Sequence, residues 1–180
     1  MGLLGMWKWM GAFALLACLL FPLPGAAADS WAVKSAGEAN GKLQIVLRDG
    51  RVFALPLSAG QCSFDNVQVA SDGMTVGWVE GGTSHPSDGP DCDPGAQYVA
   101  DGPVVWRGGR VIRVFDVWGG EINWSFYGNG DRIAFHAGPT HFDEAQGCEL
   151  YDVTSGKLLS KWSHEDRTAP PDWAKNIIDY

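Results

Sequence analysis

Four histidines and a handful of acidic loops carry whatever chemistry this 180-residue chain can perform. His136 and His141 bracket Ala137-Gly138-Pro139-Thr140, with Asp143 and Glu144 directly behind. A loop that folded the imidazoles together beside Asp143 would suit a divalent metal, and with it a metal-dependent hydrolase. The spacing matches no established ligand pattern, so the plainer reading is a polar loop between strands. Asp88, Asp91 and Asp93 lack the alternation and closing Glu of a calcium loop. Ser84-His85 and Ser163-His164 are neighbours in sequence, which is not the nucleophile–base–orienter geometry of a triad. No nucleophile elbow, phosphate-cradling glycine loop or H-E-x-x-H helix occurs. The expectation is no catalytic residue, no cofactor and no metal, with His136, His141 and Asp143 the only candidates for a metal.

The cysteines speak of compartment. Met1 to Ala28 holds Lys8, an apolar run from Gly11 to Leu23, and Ala26-Ala27-Ala28, the three regions of a secretory signal peptide. Pro22, Pro24 and its short length argue against a membrane span. The expected product starts at Asp29 and is secreted or periplasmic. A competing reading makes Leu15-Leu16-Ala17-Cys18 a lipoprotein box, but the apolar run continues past Cys18 through Phe21. Losing residues 1–28 removes one Lys and no acid, so the net charge of -8 becomes -9. That balance, with no basic run, speaks against nucleic acid as a partner. Of the three remaining cysteines, Cys62 and Cys92 sit at neighbouring ends of an expected hairpin and form the preferred bridge. Cys148 is then a buried small hydrophobe; the alternatives are Cys92–Cys148 or three free thiols.

The positioning elements read as strands. Ile122 to Phe126 and Arg132 to Phe135 flank Gly128-Asn129-Gly130, and Glu149 to Val153 and Lys157 to Trp162 flank Thr154-Ser155-Gly156. Earlier, Phe64 to Ala70 and Met74 to Glu80 flank Ser71-Asp72-Gly73. Lys42 to Leu47 and Arg51 to Leu57 form a hairpin around Arg48-Asp49-Gly50, preceded by a strand Trp31 to Ser35 and a small-residue linker Ala36 to Gly41. Val104 to Trp106 and Arg110 to Val117 form another. Gly81 to Gln97 reads as a long polar loop, and Ala169 to Trp173 as a proline-started helical turn. Matching Val76-Gly77-Trp78 to Ile133-Ala134-Phe135 gives an offset of 57, and Gly50-Arg51-Val52-Phe53 to Gly109-Arg110-Val111-Ile112 one of 59. Those offsets mark an internal repeat. The class is all-β.

Ala70-Ser71-Asp72-Gly73-Met74-Thr75-Val76-Gly77-Trp78 and Gly128-Asn129-Gly130-Asp131-Arg132-Ile133-Ala134-Phe135 resemble the core of TolB-like propeller blades. Glu149-Leu150-Tyr151-Asp152-Val153-Thr154-Ser155-Gly156-Lys157-Leu158-Leu159 resembles the end of a WD40-type blade. The resemblance spans residues 43 to 162 and implies blade-like antiparallel sheets and contact with other proteins. A propeller needs about four to eight blades, whereas two to three are present, too few to close a ring. The expected organisation is a signal peptide at 1–28, an all-β domain at 29–168 with repeats at about 43–107 and 108–164, and a tail at 169–180. The sheets should pack as a partial propeller or sandwich, in a monomer of two sheets with Val76, Trp78, Trp124, Phe126, Ile133 and Phe135 in or near its core. The expected role is an exported, non-catalytic binding or scaffold module of the cell envelope whose partner is another envelope protein. A sugar- or small-ligand-binding β-domain is the alternative, and the hydrolase on the His136/His141 loop the remoter one.

Overall fold

The computed structural model describes residues 30–58, 61–83, 98–100, 102–117, 122–137 and 147–178. Regular structure among them is β-strand, apart from one short 3-10 turn at His164–Asp166. No described helix is long and apolar enough to cross a membrane. Strands β1 (Val33–Ala39), β2 (Lys42–Leu47) and β3 (Val52–Pro56) form an antiparallel sheet in that order. The second sheet joins β4 (Gln61–Val69), β5 (Thr75–Thr83), β7 (Val104–Arg107) and β8 (Arg110–Val114), with the short β6 (Tyr98–Ala100) also pairing with β5. The third is β9 (Ile122–Tyr127), β10 (Arg132–Ala137), β11 (Gly147–Asp152) and β12 (Leu158–Ser163), again in chain order.

There are thus three antiparallel sheets where the sequence suggested two. The hairpin Lys42 to Leu57 builds a sheet of its own because β1 completes it. The stretch Ala36 to Gly41 is not a linker: β1 runs to Ala39, and the chain reverses through Asn40 (φ 56°) and Gly41 (φ 67°), residue types that tolerate that left-handed geometry. Arg110 to Val114 likewise closes the second sheet rather than opening a unit at residue 108.

The sheets stack face to face in chain order because the central one is apolar on both sides. Alternation along β5 sends Val76 and Trp78 toward the first sheet and Gly77 and Val79 toward the third. On the first side, Leu43, Ile45 and Leu47 bury against Val76, Trp78 and Trp106. Phe53 lies 5.3 Å from the Trp106 ring, edge to face. On the second side, Val79, Val105 and Phe115 meet Ile122, Trp124, Ile133, Phe135 and Val153. Phe126 is half-buried at the margin of that cluster. The far face of the third sheet, Ala134, Cys148, Leu150 and Trp162, is covered by Ala174, Ile177 and Ile178 from turns spanning residues 172–177. The tail therefore covers a face, not the sheet edges.

Two contacts set the stagger of the second and third sheets. The Ser71 hydroxyl donates to the Gly128 carbonyl at 3.0 Å, joining positions separated by the repeat offset of 57. The Gln68 side-chain amide donates to the Trp124 carbonyl at 2.9 Å. Gly77 is the tight point: a Cβ there would lie 2.6 Å from the Trp124 ring and 2.9 Å from Phe126. Gly77→Ala should therefore lower stability by about 1–3 kcal/mol through overpacking. Gly37→Ala, whose Cβ would meet nothing within 4 Å, is the control. Thermal unfolding followed by circular dichroism checks this; equal melting temperatures would contradict the packing described.

Candidate functional site: a cleft over Glu80

The alternation that buries Val76 and Trp78 carries one position further and places Glu80 on the same face of β5. Glu80 is 7 % exposed, one of only two polar residues buried among the described residues. The Trp78 indole N–H donates to its Oε1 at 3.2 Å. Beside it opens a cleft of about 330 Å³ between the first and second sheets. Leu55, Pro56 and Ser58 line one wall, and Trp78, Val104 and Val114 the other. Glu80 lines this cleft as well. No Lys or Arg among the described residues forms an ion pair with Glu80. Chemically this is a largely apolar slot that holds one carboxylate and one hydroxyl-bearing residue, Ser58.

A second polar group is structural. Asp72 accepts from the Met74 and Thr75 amides at 2.8 and 2.9 Å and from the Thr75 hydroxyl at 2.6 Å. Arg107 donates through Nε to that hydroxyl at 2.6 Å and reaches the Gly130 carbonyl at 2.7 Å. The guanidinium thus clips the β4–β5 turn to the β9–β10 turn.

Of the residues singled out in the sequence, His136 lies on β10, paired with Asn123 and Cys148 in the neighbouring strands. His141, Asp143, Cys92, Cys18, His85 and the Asp88–Asp91–Asp93 loop lie outside the described residues. Among the described residues no group of three His, Cys, Asp or Glu side chains is placed to hold a metal. Cys62 is disulfide-bonded and its partner lies outside the described residues. Cys148 is a free, fully buried thiol, which corrects the alternative Cys92–Cys148 pairing: its place in the apolar cluster under the tail leaves it no sulfur to meet. The Ser163 hydroxyl accepts from the Glu165 amide at 3.2 Å and caps the short 3-10 turn. None of the six described tryptophans is exposed: Trp78, Trp106, Trp124 and Trp162 are buried, and Trp31 and Trp173 half-buried. Glu80 escaped notice in the sequence although the alternation Val76, Trp78, Glu80 places a carboxylate in line with two core residues.

Compared with protein-family models, curated proteins and solved structures, the chain finds no match.

Two groups, the buried Cys148 and the half-buried Tyr151, make the fold sensitive to alkali. Burial pushes the Cys148 thiol from 9.0 up to about 11. Burial, followed by the 2.7 Å hydrogen bond to Glu149, pushes the Tyr151 phenol from 10.0 to about 12. The unfolded chain releases these protons first, so their contribution is complete below about pH 9 and is lost as pH rises toward 12. The urea midpoint should fall between pH 8 and pH 10.5, and Cys148→Val should lessen the fall. Cys148 should also resist iodoacetamide at pH 8 until the chain is unfolded; rapid labelling of the native protein would contradict its burial.

Proposed function

We propose that the protein is an exported, non-catalytic binding or scaffold module of the cell envelope, built from blade-like repeats that do not close a ring. The observation that carries this reading is the asymmetry of the stack. The tail covers its third-sheet end. Its first-sheet end presents a face on which Val52 is 55 % exposed and Gly37 has open space above it. The second and third sheets share one meander order and are held at the repeat offset, which supports the blade resemblance. In this reading the segment 1–28 is removed, the product is secreted or periplasmic, and the protein is a monomer whose partner is another envelope protein. Light scattering on the purified exported protein should give a monomer at low micromolar concentration, and a stable dimer would overturn that. A photo-crosslinking residue in place of Val52 should form a discrete adduct in cells, whereas one in place of Glu165 should not. Identical patterns from both positions would remove the case for the open face as a binding surface.

The disulfide belongs to the same reading. Cys148 is free, and Cys18 leaves with the cleaved segment, so Cys92 is the partner we propose for Cys62. A non-reducing peptide map should contain one bridged peptide joining Cys62 to Cys92; a bridge to Cys148 or Cys18 would refute it.

A second reading, a small-ligand-binding β-domain, is favoured by the cleft over Glu80.

A further inference from the structure

We propose that the cleft over Glu80 binds a primary ammonium group carried on a short apolar stem, an inference that rests on the small-ligand reading of this cleft. A carboxylate more than nine-tenths buried is costly unless a cation or several donors meet it. Here the Trp78 indole supplies one hydrogen bond to Oε1. No Lys or Arg among the described residues pairs with Glu80. The cleft opens that carboxylate to a cation from outside the chain.

The shape of the cleft selects the rest of the ligand. Its volume of about 330 Å³ lies near the lower end of the range for small-molecule sites, about 300–1,000 Å³. Leu55, Val104 and Val114 offer an apolar wall for a stem, and Ser58 provides a hydroxyl at the same opening. A primary ammonium has N–H donors for Glu80 and for that hydroxyl, while a quaternary ammonium has none. An alkyl- or arylalkylamine satisfies both requirements. The same chemistry is offered by a lysine side chain of another protein.

The test uses the chain as the cell processes it, titrated with phenethylamine, with the isosteric alcohol 2-phenylethanol, and with N-acetyl-lysine methylamide. Shifts of the Leu55, Val104 and Val114 methyl signals and of the Trp78 indole N–H report occupancy. Phenethylamine should bind and the alcohol should bind about tenfold more weakly or not at all, the difference being the charge-assisted hydrogen bond. Comparable binding of the lysine derivative would support the same site and name a protein side chain as the source; its failure beside binding amine would name a free amine. Glu80→Gln should weaken amine binding about tenfold. Should that variant not fold, Val114→Trp, on the wall of the cleft at a position 60 % exposed, should narrow it and weaken binding. Equal binding of amine and alcohol would overturn the ammonium proposal and leave an apolar ligand site standing. Binding of neither would overturn both readings. An amine that binds Glu80→Gln, or Val114→Trp if that is the variant that folds, as well as it binds the native chain would also overturn the proposal.

Discussion

Everything in this fold depends on the second sheet being apolar on both faces. A sheet of three to five short strands cannot bury enough surface by itself, and a sheet with one apolar face can have only one neighbour. β5 meets the requirement within four residues: Val76 and Trp78 serve one interface, Gly77 and Val79 the other. The contact at Gly77 is the sharpest expression of it, since the Trp124 and Phe126 rings occupy the space a side chain would fill. Ala134 stands at the matching position of β10 and faces the tail in the same way. The small residue shared by the two repeat units therefore records a packing need: whatever follows the sheet in the stack must come close.

Polar contacts fix what the apolar faces leave free. Flat faces slide, and the hydrophobic effect is indifferent to a shift of an ångström or two. Arg107, held by Thr75 and reaching Gly130, and Ser71, bonded to Gly128, lock the second sheet to the third at their turns. Val33 does the same for the first sheet, its amide donating to the Gly73 carbonyl at 2.7 Å. The guanidinium of Arg51 covers the Trp31 ring at 4.5 Å, closing the aromatic group of Trp31, Phe53 and Trp106 against water. The outer edges are guarded differently. β3 ends in Pro56, β8 carries Arg110 and Arg113, and β12 carries Lys161. A proline or a row of charge on an edge strand discourages pairing with another chain.

The cleft over Glu80 follows from the same geometry. Where β3 ends and the chain turns toward β4, the first sheet no longer covers the second completely. The uncovered strip of the second sheet still obeys the alternation of β5, so its next inward residue is drawn into the interior. That this residue is a carboxylate instead of another Val or Trp is a local break with the core pattern. Breaks of this kind concentrate at functional sites, where stability gives way to recognition.

By itself the sequence determined the class, most of the strands and part of the core. Period-two alternation and turns such as Ser71-Asp72-Gly73 are local properties, and they put β2, β3 and β9 to β12 within a residue or two of their places, while β5 runs three residues further than expected, to Thr83. The core residues Val76, Trp78, Trp124, Ile133 and Phe135 were legible for the same reason. The short β6 was not, because three residues carry no period, and the second half of β1 was hidden by Ala36, Gly37 and Ala39, whose small side chains read as a linker until β2 pairs with them. Only the tertiary structure decided which face meets which sheet, since alternation distinguishes two faces without naming their neighbours. It also decided that Cys148 lies under the tail, away from any other cysteine, and that Glu80 lies beside a cleft. A carboxylate two residues beyond a tryptophan has no meaning in one dimension; it acquires one when Leu55 and Val114, from different sheets, arrive beside it.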